Sequence, residues 1–155
     1  MAYDKILQLL TQHQVPFKMH EHEAVRTIED AEDKAPDLVR NLIKTIAFQI
    51  KDGEWVLAGV RSGDRVDYRT LAAVLGVNRR QLRSLSPEQV QAELGFEIGG
   101  VGPFPVKKDV KVIFDQHLNT LDTIYCGSGK NTRTLELRFD DLLTLTDGEV
   151  HSITR

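Results

Sequence analysis

The sequence has little that could stabilise a small extracellular fold through cross-links or anchor it in a membrane. A single cysteine, Cys126, among 155 residues excludes an internal disulfide and a zinc site built from several cysteines. No apolar run approaches the ~20 residues that a membrane-spanning helix needs. The first residues show no basic segment followed by an apolar one, so no signal peptide is expected. We therefore expect a cytoplasmic protein with no membrane partner.

An excess of positive charge is also missing. The formal net charge of -3 at pH 7 argues against a protein that coats DNA without specificity, although a local basic patch can still bind phosphates. The residues that could form such a patch are Arg61, Arg65, Arg69, Arg79, Arg80, Arg83, Lys107, Lys108 and Lys111. With 41% hydrophobic and 28% charged residues, the composition fits an ordinary globular protein, and the length fits one domain over residues 1–155.

Apolar spacing and turn residues predict an α+β fold. Helices are predicted over residues 3–13 and after the capping residues Thr27, Asp67 and Ser86, and the helix after Thr27 should carry Ala35 on its apolar face and stop at Pro36. Strands are predicted over residues 42–50, 55–60, 110–114, 123–126, 134–138 and 150–153. Because hairpins occur without a regular βαβ repeat, we expect a mixed sheet.

Lys44 is the candidate site residue that the strand pattern singles out. Side chains alternate between the two faces of a strand, so Lys44 is the only charge among the even-numbered side chains of residues 42–50, which are otherwise apolar. Its amine either reaches water along a flexible stem or lines a site for an anion or a carbonyl group. Thr45 should lie on the opposite face, where its hydroxyl reaches the same pocket only if the strand bends.

The segment Gly99–Pro105 is the second candidate. Its three glycines would let the backbone approach a ligand and present N–H groups, and its two prolines would hold one shape. The alternative interpretation is a rigid surface connection.

Two further motifs have ordinary explanations, and a third suggests DNA binding. The run Gly127–Lys130 resembles half of a phosphate-binding loop but lacks the full spacing, so a hairpin turn is favoured. The run His20–Glu23 could place two imidazoles on one strand face for a metal, but without a further ligand an exposed polar strand is favoured, and we expect no metal and no other cofactor. Residues 71–83 have the sequence pattern of a helix-turn-helix.

Taken in order, short motifs over roughly residues 20–150 resemble the YbaK/prolyl-tRNA synthetase-associated editing domain family. The matching pieces are His22-Glu23-Ala24-Val25, Thr27-x-Glu29-Asp30-Ala31, Ile43-Lys44-Thr45, Gly63-Asp64-Arg65-Val66-Asp67, Leu75-Gly76, Ser86-Pro87-Glu88-x-Val90, Gly95-Phe96-x-x-Gly99-Gly100-Val101-x-Pro103-Phe104, Asp115, Gly127-x-Gly129-Lys130 and Asp141-Leu142-Leu143. Each motif alone is weak, and their order and spacing carry the resemblance.

The resemblance implies a mixed, barrel-like β-sheet flanked by helices, with a pocket for the 3′ end of a mischarged tRNA whose ester bond is hydrolysed. Such domains usually act in trans on tRNA released by an aminoacyl-tRNA synthetase, so tRNA and a synthetase are the implied partners. The implied catalytic residues are Lys44, Gly100, Val101 and Gly102. The implied substrate-binding residues are His22, Thr27, Thr45, Gly99, Pro103, Phe104, Gly129 and Lys130.

Two departures bear on the amino acid that would be removed. Members that resemble alanine-specific editors carry Asn after the lysine, where this chain has Thr45. The run Gly129–Leu135 looks like the serine/threonine-editing branch.

The implied chemistry needs no nucleophilic side chain. No nucleophile motif such as Gly-x-Ser-x-Gly is present, so cleavage by a positioned water, or with help from the substrate's own hydroxyls, is favoured over an acyl-enzyme. The loop amides of residues 100–102 would hold the developing oxyanion or the acyl carbonyl. Two other classes of function remain as alternatives. One is a non-catalytic module that binds an aminoacyl or nucleotide ligand. The other is a DNA-binding protein that uses residues 71–83, which the acidic net charge disfavours.

Overall fold

The computed structural model of the chain describes residues 1–34 and 39–155. Within these ranges it has five α-helices and eight β-strands. In chain order they are α1 (Ala2–Gln12), β1 (Lys18–Glu21), α2 (Ile28–Lys34), β2 (Ile43–Ile50), β3 (Trp55–Arg61), α3 (Tyr68–Leu75), β4 (Leu82–Ser84), α4 (Pro87–Leu94), β5 (Val110–Asp115), β6 (Thr123–Gly127), β7 (Arg133–Arg138), α5 (Phe139–Thr146) and β8 (Glu149–His151). Short 3₁₀ helices span Arg79–Gln81 and Gln116–Thr120.

The predicted capping residues begin three of these helices. The Thr27 hydroxyl accepts a hydrogen bond of 3.0 Å from the amide three residues on, at the start of α2. Asp67 caps α3 through two backbone N–H groups, and Ser86 caps α4 in a capping box. Ala35 and Pro36, where the end of α2 was predicted, lie outside the described residues.

The strands form two sheets. One is antiparallel with the order β1-β7-β6, and the other is mixed with the order β4-β2-β3-β5-β8. In the mixed sheet, β2 is antiparallel to β3 and β4, whereas β5 is parallel to β3 and β8. The predicted α+β fold with a mixed sheet is therefore confirmed. The sheets meet at a parallel bridge between Leu42 and Tyr125, and over the described residues they do not close into a barrel.

The mixed sheet is buried on both faces. Ile43 and Ala47 of β2 belong to one core cluster, which includes side chains of α1, α4 and the three-stranded sheet. Phe48, which is fully buried, belongs to the other cluster, together with Leu71 of α3. Complete burial of a phenylalanine stabilises a fold by about 1.5–3 kcal/mol. The predicted alternation of side chains between the two faces of β2 is thus confirmed, and the mixed sheet divides the core into two clusters.

Residues 71–83 do not form a helix-turn-helix. The helix α3 ends at Leu75, and Gly76 takes the left-handed conformation that terminates it. The chain then makes a 3₁₀ turn and enters β4, which pairs with β2. Because these residues contain no second α-helix, only a 3₁₀ turn of three residues, the prediction of a DNA-recognition helix is wrong. None of the described helices is long and apolar enough to cross a membrane.

Candidate active site

A cavity of about 350 Å³ lies between the two sheets, along an edge of β2. One edge of β2 pairs with β3 along most of its length, whereas β4 pairs on the other side only with Phe48–Ile50. Residues 42–47 therefore border the cavity one after another. The remaining walls come from the segment before α2, the start of α4, the loop after α4, and the β6–β7 hairpin.

Seven of the twelve predicted site residues line this cavity. They are His22, Thr27, Lys44, Thr45, Gly99, Val101 and Lys130. The other five lie outside the described lining, and they are Gly100, Gly102, Pro103, Phe104 and Gly129. Phe104 is fully buried in the core cluster shared with α1 and α4, so its described contacts are those of a packing residue. The structure thus brings together predicted residues from four separate segments.

Lys44 is one of the residues that line the cavity. Its Nζ donates a hydrogen bond of 2.6 Å to the backbone carbonyl of Asp64, in the turn that follows β3. Burial of the side chain, and next the positive charge of Arg65, lower the pKa of this amine, while the Asp64 carboxylate opposes them. A lysine ammonium carries three N–H donors. Among the described residues only the Asp64 carbonyl accepts one, so two remain for a ligand.

Thr45 lines the same cavity although it faces away from Lys44. Successive side chains of a strand point to opposite faces. Both residues reach the cavity because the cavity follows the edge of β2 and not one face. The Thr45 hydroxyl is buried, and within residues 1–34 and 39–155 it has no hydrogen-bond partner.

The segment Gly99–Pro105, which we call the glycine loop, offers fewer backbone N–H donors than its sequence predicts. The Gly100 amide donates to the Glu97 carbonyl at 2.8 Å, so it is not available to an oxyanion. Val101 lines the cavity, and over the described ranges its amide has no hydrogen-bond acceptor. Gly99 has a φ of +87°, and a Cβ there would come within 2.0 Å of the Val25 carbonyl oxygen. The loop therefore packs its backbone directly against the segment before α2, and Val101 is the predicted donor that remains.

Gly102 packs against β6 and does not face the cavity. A Cβ at this position would lie 2.0 Å from the Gly127 carbonyl oxygen, a contact that only a backbone shift could relieve. The position thus has a structural reason for glycine that does not involve a substrate.

We expect Gly102→Ala to lower the free energy of unfolding by about 2 kcal/mol, the scale of overpacking in a tight core. Urea denaturation would measure the change. Gly63→Ala is the matched control, because nothing lies within 4 Å of a Cβ at Gly63, and its effect should stay within about 0.5 kcal/mol. Equal stability of the two variants would contradict the packing role of Gly102.

The two histidines of the predicted polar strand have separate partners. The His22 ring bonds the Thr134 hydroxyl and the Glu23 carbonyl, each at 2.7 Å. The His20 ring bonds the Glu136 carboxylate at 2.8 Å. Their described contacts are therefore with protein groups, and no pairing of the two imidazoles supports a metal site there. His22 is the one that lines the cavity.

Two cationic residues that the sequence analysis did not select also line the cavity. Arg26 and Arg133 line it together with Lys130, whose amine lies 4.6 Å from the centre of the Tyr3 ring. None of the nine basic residues predicted to contact phosphates is among the described lining residues. For example, Arg61 pairs with Asp64, and Lys111 pairs with Glu149 on the far edge of the mixed sheet. The clusters of charge along the sequence miss Arg26 and Arg133 because these two residues lie in distant segments, one before α2 and the other at the start of β7.

Cys126 also lines the cavity, and the sequence marked it only as a small buried residue. Its side chain is completely buried, and this burial raises the pKa of the thiol. A protonated thiol is a poor nucleophile. Cys126 is thus part of the apolar wall and not a reactive group.

Known proteins with related sequences and folds have names that refer to the charging of tRNA or to its editing. EbsC of Enterococcus faecalis, named as a candidate Cys-tRNA(Pro)/Cys-tRNA(Cys) deacylase, is 24% identical over 96% of this chain and 91% of its own. A proline–tRNA ligase of Lactiplantibacillus plantarum is 36% identical over 58% of this chain, and the match spans only 15% of the ligase. A crystal structure of a candidate trans-editing enzyme for prolyl-tRNA synthetase has a TM-score of 0.81 at 24% identity, covering 99% of this chain and 97% of that one.

The family comparison covers every segment that borders the cavity. Residues 22–145 match the family model described as the aminoacyl-tRNA editing domain. This span runs from His22 at the cavity to within one residue of the end of α5. The chain therefore belongs to the aminoacyl-tRNA editing domain family.

Proposed function

We propose that this protein hydrolyses the ester bond that joins a wrong amino acid to the 3′ end of a tRNA. The observation that carries the proposal is the cavity, whose lining combines apolar residues with Lys44, Val101 and the cationic residues Arg26, Lys130 and Arg133. A polyanionic tRNA end fits these cations, and the aminoacyl group fits an apolar pocket of about 350 Å³. Membership of the editing domain family supports the same activity.

The reaction needs an attacking oxygen and a place for negative charge. The oxygen of a water molecule attacks the ester carbonyl and forms the new C–O bond. The bond to the ribose oxygen then breaks, that oxygen takes up a proton from the attacking water, and the free amino acid and the tRNA 3′ terminus are released. Cys126 is protonated and buried, so water is the proposed nucleophile, and a hydroxyl of the terminal ribose would help to position it. The Val101 amide and the Lys44 ammonium are the proposed donors to the oxyanion or to a nearby phosphate oxygen.

The rest of the lining is assigned to binding. Lys130 would contact backbone phosphates at the cavity, while His22 and Thr27 would border the terminal nucleotide. We propose that residues 1–155 act as one domain in the cytoplasm, where tRNAs are charged. The relationship to proline–tRNA ligase and to a candidate trans-editing enzyme supports prolyl-tRNA or its synthetase as a partner. The run Gly129–Leu135 favours the serine/threonine-editing branch.

A panel of mischarged tRNAs tests the function. Seryl, threonyl, alanyl and cysteinyl esters of the same tRNA would be incubated with catalytic amounts of protein, and released amino acid would be measured over time. We expect multiple turnovers on at least one ester. Stoichiometric binding with no turnover would contradict the deacylase assignment and favour a non-catalytic aminoacyl-binding module.

Binding of tRNA should weaken with salt in proportion to the cations that line the cavity. Loss of one phosphate contact on a single strand lowers the slope of log K against log salt by about 0.7. We therefore expect a shallower slope for Lys130→Gln, measured by filter binding with tRNA at several salt concentrations. Lys111→Gln is the matched control, since Lys111 pairs with Glu149 away from the cavity, and its slope should equal that of the wild type. Equal slopes for both variants would remove Lys130 from the tRNA interface.

A further inference from the structure

We infer that Asp64 is a positioning residue, which sets where the amine of Lys44 lies although Asp64 is not among the described lining residues of the cavity. This inference rests on the proposed deacylase function and adds to it a residue that acts through Lys44. The starting point is the hydrogen bond of 2.6 Å from Lys44 Nζ to the Asp64 carbonyl. Over residues 1–34 and 39–155 this carbonyl is the one acceptor of the amine, so it directs the side chain.

A lysine side chain does not hold its own position. Its ammonium is a compact charge on a flexible stem, so its place depends on the groups that accept its hydrogen bonds. The acceptor of Lys44 belongs to the turn after β3, three residues beyond Arg61 at the end of that strand. Because turns on the surface are more mobile than the strands that they connect, Lys44 is only as well fixed as this turn.

Backbone hydrogen bonds hold the chain on both sides of the turn. Before Asp64, the Ser62 amide donates to the Leu42 carbonyl at 3.1 Å. After it, the Asp67 amide donates to the Ile153 carbonyl at 2.7 Å. The Asp64 carbonyl lies between these two anchors. Because a carbonyl turns with its peptide plane, its direction depends on the conformation of Asp64 itself.

The carboxylate of Asp64 is held from two directions along the chain. Arg61 donates to one carboxylate oxygen from Nε at 2.9 Å and to the other from Nη2 at 3.4 Å. His117 Nδ1 lies 3.7 Å from the same carboxylate and 2.7 Å from that of Asp115, which is completely buried. A forked arginine contact fixes the orientation of a carboxylate as well as its position. Arg61 therefore ties the Asp64 side chain to β3, and His117 ties it to the segment after β5.

The same carboxylate also helps to keep the amine charged. Burial and the positive charge of Arg65 lower the pKa of Lys44, and the Asp64 carboxylate opposes them. An ammonium stabilises an oxyanion or a phosphate oxygen more strongly than a neutral amine does. Asp64 thus acts on Lys44 twice, through the direction of its carbonyl and through the charge of its carboxylate.

The substitution Asp64→Ala removes the carboxylate and keeps the backbone carbonyl. The acceptor of Lys44 remains, but the contacts that orient it are lost. Single-turnover rates would be measured over a range of protein concentrations, on the ester of the panel that the wild type hydrolyses fastest. We expect the rate at saturating protein to fall by about 10-fold, because a misplacement of about 1 Å can cost even more. The protein concentration that gives half the maximal rate should change by less than about twofold, since the lining residues are untouched.

A double-mutant cycle shows whether Asp64 acts through Lys44. The same substitution is made in Lys44→Met, which has no amine to position. We expect Asp64→Ala to have no further effect on the rate there, since two residues of one network are not additive. A merely structural role of Asp64 would slow the wild type and Lys44→Met by the same factor, and that result would overturn the inference.

Asp122→Ala is the matched control for loss of a carboxylate that pairs with an arginine. Asp122 lies 3.2 Å from Arg138 in an exposed ion pair, and it is outside the described cavity lining. Its loss should leave the rate unchanged, both in the wild type and in Lys44→Met.

A second variant keeps the test decisive if Asp64→Ala does not fold. Arg61→Met removes the forked contact from the other partner, and the Arg61 side chain is exposed, so the fold should tolerate the change. We expect it to slow deacylation by about 2- to 5-fold when Lys44 is present, the scale of an exposed ion pair, and to have no effect in Lys44→Met.

The outcomes separate this inference from the function on which it rests. A wild type that hydrolyses the ester, with an equal rate for Asp64→Ala, would overturn the role of Asp64 and leave the deacylase intact. If Asp64→Ala does not fold, an equal rate for Arg61→Met has the same consequence. A wild-type rate for Lys44→Met would overturn the role as well, because Asp64 would then position nothing that the reaction uses. A wild type that hydrolyses no ester of the four-member panel would overturn the proposed function and this inference with it.

Discussion

Replacement of Lys44 by methionine should give a folded protein that deacylates mischarged tRNA about 10²-fold more slowly, the scale for loss of one preorganised polar contact. Methionine keeps the length of the stem and removes the ammonium. One bond to the Asp64 carbonyl is lost with it, which is worth about 1 kcal/mol, and the desolvation of the amine is relieved at the same time. The Tm should therefore change little. Single-turnover deacylation and thermal denaturation would measure the two effects.

Two comparisons make the Lys44 experiment decisive. Lys44→Arg keeps the charge but has a planar fork in place of a compact ammonium, so we expect only partial activity. Lys111→Met removes a lysine that pairs with Glu149 and does not line the described cavity, so its rate should match the wild type. A wild-type rate for Lys44→Met would overturn the assignment of Lys44 to the active site.

Asp115→Asn should destabilise the fold by about 3 kcal/mol, which lowers the Tm of a domain of this size by about 6–12 °C. Asp115 is completely buried at the end of β5. One carboxylate oxygen accepts the Ile153 amide at 3.0 Å, and the other accepts the His117 amide at 3.2 Å. Whichever way an asparagine turns, its NH₂ group meets one of these N–H donors. Calorimetry would measure the loss.

The Asp115 carboxylate should also make the stability of the fold depend on pH. Burial by itself raises the pKa of Asp115, but the hydrogen bonds from Ile153 and His117 outweigh it and hold the pKa below its ordinary value of 3.8. The stabilisation is therefore complete above that value and is lost as the pH falls through the lower pKa of the folded state. Acid titration of stability should show this loss in the wild type and not in Asp115→Asn. Asp122→Asn is the control, because its ion pair with Arg138 is exposed and should contribute less than about 1 kcal/mol.

Local signals in the sequence predict most of the secondary structure. The hairpin at Asp52 and Gly53, the caps at Asp67 and Ser86, and the strand bounds within one or two residues follow from turn chemistry and side-chain alternation. The helix α5 is ambiguous in sequence, because it has no side-chain cap at its start and ends on Asp147, and not on a glycine, in the left-handed conformation.

The site is less predictable because it depends on contacts between distant segments. The face pattern of β2 marks Lys44, but only the short pairing with β4 leaves the strand edge open, so that Thr45 lines the cavity as well. In the glycine loop, composition does not distinguish the Gly100 amide, which is already bonded to Glu97, from the Val101 amide. Two partners of Asp115 likewise lie far along the sequence from it, at Ile153 and Thr154.

The antiparallel sheet also sets when the cavity can form during synthesis. Its strands β1 and β7 come from opposite ends of the described chain, and the paired side chains of His20 and Glu136 are 116 residues apart. At ribosomal rates of about 5–20 residues per second, β1 waits roughly 6–23 s for its partner to be made. The mixed-sheet hairpin of β2 and β3 needs only neighbouring residues and can form earlier. Until most of the chain has been translated, the pocket of the nascent chain is incomplete, because β6 is not yet present to border it beside β2.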